Sequence, residues 1–153
     1  MGMTKLLTQH LNRTLTPLGF LKSGMSWRRN HSIAFDVVGI QFARFSSGVT
    51  VQLGIYYKNL GNETNPIEEM CHLRARLHGS AEGGDLDGYA EEFEDSVAAA
   101  KQFVAALVST GLPWFDAVKT QSGARTAMGA NPEETSSALL DAMKYGSITL
   151  TEG

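Results

Sequence analysis

One cysteine, Cys71, is all that 153 residues contain, so no disulfide can form within the chain and nothing calls for an oxidising compartment. No run approaches the ~20 apolar residues that span a bilayer, and the N-terminus lacks the charged-then-apolar layout of a secretory signal. The expected setting is the cytoplasm, with no membrane partner. Charge is sparse too: 19% of residues are charged against 42% hydrophobic, which are globular values and not those of a disordered chain. A basic surplus is also missing. The net charge of −3 excludes a protein that coats nucleic acid through bulk electrostatics, because that requires many Lys and Arg on one surface.

Catalytic and metal-binding patterns are absent as well. There is no G-x-S-x-G nucleophile elbow. The glycine-rich GSAEGGDLDG lacks the Lys-Ser/Thr of a phosphate loop, and its acids would repel a phosphate. Asp85 and Asp87 lack the ligand spacing and closing Glu of a calcium loop. Cys71, His72 and His78 lie close together, with His31 a further nitrogen. A regular strand, however, turns Cys71 and His72 to opposite faces, where they cannot share one tetrahedral ion. The same geometry keeps a His72 base from the Cys71 thiol. No metal and no cofactor are expected.

What the chain does have is a change of period. In TKLLTQHLNRTL the residues Leu6, Leu7, Leu11 and Leu15 recur at helical spacing, predicting a first helix capped by Thr4 and ended by Pro17 and Gly19. From Phe20 to Leu77 the period drops to 2. SGMSWRRN, SIAFDVVGIQFARF, GVTVQLGIYYKNL and CHLRARL read as four strands. Asn30-His31 and Ser46-Ser47-Gly48 fall where hairpin turns belong, so the first three form an antiparallel meander. Gly39 and Gly54 interrupt strands, a sign of a bulge or of another element's close approach. GNETNPIEE is a loop before the fourth strand.

An acidic linker follows at 79–88, then a helical part at 89–146. There Phe93, Val97, Ala100, Val104, Leu107 and Val108 form one stripe of a helix that Gly111 and Pro113 should end. LPWFDAVKT reads as a short helix. Asn131 should cap a last one that buries Leu139, Leu140 and Met143 and stops at Gly146. SITLT is a final strand or a tail. This order predicts a single α+β domain over 1–153: an antiparallel meander sheet of about four strands, with helices packed on one face. The other face is then left to water or a partner.

The runs LTPLGFLKSGMSWRRN, VQLGIYYKNLGNETNP and CHLRARL give the chain from Leu6 to Leu77 a family likeness. It resembles a bacterial family catalogued as domain of unknown function 4304, in which an L-G-F and a Trp-containing strand follow a first helix. The resemblance implies a helix-flanked antiparallel fold and brings no established activity.

CHLRARL carries the sharpest functional signal. Alternation puts Cys71, Leu73, Ala75 and Leu77 on one side and His72, Arg74 and Arg76 on the other. With Arg28, Gln52, Tyr56 and Asp36 as neighbours, those side chains would line the open sheet face, where arginine offers planar, multidonor recognition of carboxylate or phosphate. The plain alternative is an edge strand whose arginines deter aggregation and pair with Glu63, Glu68 or Glu69. Charge is uneven along the chain. Residues 1–78 hold nine Lys and Arg against four Asp and Glu, while residues 79–153 hold four against twelve. The halves either neutralise each other or leave a basic sheet for an anionic partner. Trp27 is expected inside the core, and Trp114-Phe115 packed on the sheet. The expected function is binding of a protein partner through the polar sheet face. The rivals are a small-molecule binder or hydrolase-like enzyme with His72 and Arg74 or Arg76 in a cleft, and a weak nucleic-acid binder.

Overall fold

Leu7, Leu11 and Leu15 vanish from solvent along one side of the first helix, α1 (Met3–Leu15), as their spacing requires. The computed structural model describes residues 3–42, 49–77, 96–146, 148 and 150–151. Thr4 lies within α1 and not at its cap. The helix closes through a 3₁₀ turn at Thr16–Leu18, where Pro17 cannot extend the ladder and Gly19 takes the left-handed conformation at φ 93°.

The sheet has five antiparallel strands in chain order. The difference from four lies just before SGMSWRRN, whose opening Ser-Gly-Met is not strand throughout: β1 (Leu21–Ser23) and β2 (Ser26–Asn30) are a hairpin whose two-residue turn uses Gly24 at φ 63°. β3 (Ala34–Phe42) and β4 (Val49–Tyr57) pair over nine residues each. The turn expected at Ser46-Ser47-Gly48, the 79–88 linker, His78 and Phe93 lie outside the described residues. β5 (Leu73–Arg76) pairs with the far side of β4.

One face of the sheet is apolar and roofed by helices. Trp27, Val38, Ile40, Val51 and Leu53 pack against α1 and α2 (Ser96–Ala106), with Phe103 and Phe115 between them. Further along the same face, Ala34, Ile55, Tyr57 and Leu73 meet Val118, Leu139 and Met143. Full burial of each such side chain contributes about 1.5–3 kcal/mol, so this face supplies most of the cohesion.

Gly111 and Pro113 do not end the helix after α2. The chain runs on through a π turn at Leu107–Gly111 into α3 (Leu112–Ala117), with Pro113 in its first turn, where a missing N–H costs nothing. A side chain at Gly111 would crowd Leu107, Leu53 and Leu77, so glycine lets the rod lie close to the sheet. The buried stripe is Ala100, Phe103, Ala106 and Leu107, while Val97 and Val108 are exposed. A helix absent from the sequence reading, α4 (Gln121–Ala130), follows, capped by the Thr120 hydroxyl accepting from the Gly123 N–H. Asn131-Pro132 opens only a 3₁₀ turn. The cap of α5 (Ser137–Tyr145) is Ser136, and Leu140 points outward while Leu139 and Met143 are buried. Gly146 stops α5 at φ 69°, and Thr151 bridges in parallel to Thr120.

Candidate functional site

CHLRARL does not alternate without interruption. Leu73 stands opposite Ile55 and Ala75 opposite Leu53 on the helix side, so Arg74 and Arg76, opposite Gly54 and Gln52, project to the other side. The His72 N–H also reaches the Ile55 carbonyl, at 2.9 Å, so His72 and Leu73 both oppose one residue, as in a β-bulge. The extra residue reverses everything before it. Cys71 therefore leaves Leu73's side and packs with Val37 and Tyr56 on the polar side.

That polar side is not open to water. Residues 61–70, including a 3₁₀ turn at Glu68–Met70, fold back over it as a strap. The two in-strand glycines make the room: a Cβ on Gly39 would collide with the Glu68 carboxylate, and one on Gly54 would stand 2.6 Å from Cys71 Sγ. Polar links then hold the strap down. The Ser26 hydroxyl donates to Glu68 Oε2 at 2.7 Å, Arg28 Nε to the Pro66 carbonyl at 2.8 Å, and the Glu63 N–H to the Tyr56 hydroxyl at 3.1 Å.

The candidate residues accordingly divide. Arg28, Gln52, Tyr56 and His72 are buried, Arg74 is half-buried, and Arg76 is exposed. Arg74 pairs with Glu134 at 2.9 Å, a residue of the turn after α4, and not with the loop acids suggested by sequence. Asp36 lies on the helix side, where its carboxylate is wholly buried between Arg29, at 3.0 Å, and Lys119, at 2.7 Å. His72, Arg74 and Arg76 thus share a strand but not a concavity.

His72 is committed to the fold at both ring nitrogens. Nδ1 accepts from the Tyr57 N–H at 3.0 Å, and the Leu60 carbonyl takes the other N–H. An accepting Nδ1 carries no proton, so the imidazole is neutral, and burial lowers its pKa from the usual value. Its ring lies 4.5 Å from that of Tyr56, centroid to centroid. Burial likewise drives up the Cys71 thiol and the Tyr57 phenol, and the phenol donates to the Val118 carbonyl. None of these three groups is poised to give or take a proton near neutrality.

Arg28 differs from all of them. It is 7% exposed, and both terminal guanidinium nitrogens are buried with no hydrogen-bond acceptor among the described residues. Burial pulls its pKa down, and the nearby Glu68 carboxylate opposes that shift. Beside the strap a cleft of about 460 Å³ opens, lined by Lys22, Ser23, Arg28, Asn30, Phe35 and Asn65. A second, more apolar cleft of about 580 Å³ lies on the helix side between β5, α3 and α4, with Trp114 in its wall. Both fall in the ~300–1,000 Å³ range of small-ligand pockets. Among the described residues no three His, Cys, Asp or Glu gather as a metal site would need. Sequence reasoning missed Ser26 and Pro66 and offered Glu68 only as a partner for Arg74 or Arg76; the signal for them was the pair Gly39 and Gly54, which marked an approach without naming what approaches.

A family profile described as Domain of unknown function (DUF4304) matches residues 11–117, which span α1, the whole sheet, the strap and the α2–α3 rod. No curated protein and no solved structure matches the chain.

Proposed function

We propose that this chain, which belongs to the DUF4304 family, is a binding domain without chemistry of its own, engaging a protein partner through the polar side of its sheet. The observation that carries this is Arg28. A guanidinium with two buried, unpartnered nitrogens is a costly arrangement for the fold alone, and its planar donor pair matches a carboxylate. Arg76, opposite Gln52 on the same side of the sheet, adds a second cation at the surface. The partner we assign therefore presents acidic side chains. The setting we assign is the bacterial cytoplasm, in keeping with a lone cysteine held as a buried thiol.

The rival enzyme reading draws less support, because it needs His72 as an acid–base and both ring nitrogens are already taken. Affinity capture from cell extract, with the wild-type chain, Arg74→Glu and Arg76→Glu as parallel baits, tests the proposal. A defined protein retained by the wild type, lost on charge reversal and released by moderate salt is the expected result. Retention indifferent to both reversals, or no specific retention at any protein concentration, would sink it.

A further inference from the structure

The strap offers a more specific statement about how such a partner gains access. Glu68 occupies a place made for a carboxylate: Gly39 gives up its side chain to admit the group, Ser26 donates to it, and Arg28 faces it electrostatically. Yet Glu68 belongs to a 3₁₀ turn at the sheet surface, and the two terminal nitrogens of the Arg28 guanidinium facing it are left without a hydrogen bond. The apolar cluster beneath the strap is small. Val37, Tyr56 and Cys71 form it with Phe35 alongside, against the two large clusters on the helix side. A segment held chiefly by a few polar links, with little apolar area beneath it, opens at lower free energy than the core.

We propose that Ser26, Arg28 and Gly39 form a carboxylate-binding seat that Glu68 fills at rest, and that an acidic side chain of a partner takes Glu68's place when residues 61–70 lift from the sheet. The adjoining cleft, which Arg28 and Asn65 help to line, is the approach route. The identity of the incoming group rests on the acidic-partner reading above, whereas the opening of the strap does not.

Cys71, the chain's single thiol, lies beneath the strap and reports its opening. Thiol labelling of the wild type, Glu68→Gln, Glu68→Asp and Gly54→Ala, alongside urea unfolding followed by the buried Trp27, separates local from global opening. In Glu68→Gln, labelling should speed up roughly tenfold, the equivalent of one charge-assisted hydrogen bond, while staying far faster than global unfolding allows and insensitive to low urea. Glu68→Asp should restore much of the protection. Gly54→Ala, whose new methyl strikes Cys71, should act in the same direction as Glu68→Gln and more strongly. A hexaglutamate peptide should bind Glu68→Gln roughly tenfold tighter than the wild type, because the resident competitor is weakened. Labelling that tracks global unfolding in every variant overturns the strap. Faster labelling without any gain in peptide affinity overturns the carboxylate seat. In the first case charge-reversed capture can still succeed, so the two proposals fail separately.

Discussion

The two sides of one sheet are closed by different means. The helix side is sealed by large apolar side chains from α1, α2, α3 and α5, interlocked with Trp27, Val38 and Leu53. The opposite side is sealed by a strap of irregular chain that reaches the sheet only because Gly39 and Gly54 have no side chains, and it is fastened by hydrogen bonds. Apolar packing is nondirectional and scales with area, whereas a polar closure depends on a few partners and leaves two nitrogens of one of them, Arg28, unsatisfied. Stability should therefore reside on the first side and adaptability on the second.

The strongest way to break that division is the buried carboxylate on the apolar side. Asp36 is wholly buried and neutralises both Arg29 and Lys119, joining β2 and the end of α3 to β3. Asp36→Asn removes the charge and leaves two cations in a dry region, which should cost about 3–5 kcal/mol in urea-induced unfolding. Partial exposure of Arg29 favours the lower end of that range. A loss below about 1 kcal/mol would place Asp36 among screened surface pairs and dissolve the contrast between the two sides.

The same division separates what could be read from the sequence. Period 2 in β3 and β4 set the inward row of Val38, Ile40, Val51 and Leu53, because a buried face must alternate whatever covers it. That made the sheet, its helical roof and Trp27's burial legible. The covering of the other side was not, since it depends on a long-range contact: Glu68 touches Gly39 across the fold, and a glycine reveals that something approaches without saying what. The bulge at His72 was illegible for a related reason. One added residue reverses the sidedness of Cys71, and no local composition in CHLRARL marks it. α4 escaped because QSGARTAMGA carries two glycines and no stripe of large apolar residues; its helix is held by the Thr120 cap and by Ala124 and Ala127 against the core. Of the candidate residues, sequence placed Arg28, Gln52, Arg74 and Arg76 on one side together, but it could not see that the strap buries the first two.

A smaller effect sharpens the comparison through pH. His72 sits where the polar side meets the strand end, neutral and with a folded-state pKa below its ordinary value of about 6.5. The unfolded chain therefore takes up the His72 proton before the folded chain does. Stability from this residue is complete above about pH 6.5 and declines as pH falls below it, until the folded imidazole also protonates. His72→Gln, which cannot titrate, should be less stable near neutrality because a buried N–H of Tyr57 loses its acceptor, yet it should show a shallower fall between about pH 6.5 and 5. Equal slopes for variant and wild type would mean that His72 titrates alike in both states and is not sealed in.

The least effect is expected at Arg74. Its bond to Glu134 is short, at 2.9 Å, but the two side chains are 28% and 32% exposed, so water and salt screen the pair. The junction it spans is also held without it: the Ser136 N–H donates to the His72 carbonyl at 2.8 Å, and Leu73 bridges to Thr135, which protects the edge of β5 by backbone pairing. Arg74→Ala should therefore lower the free energy of urea-induced unfolding by less than about 1 kcal/mol and make the remaining stability less salt-dependent. A loss of several kcal/mol would show the 131–136 segment to be fastened by charge in the manner of the strap, and the polar style of closure would then extend around the β5 edge.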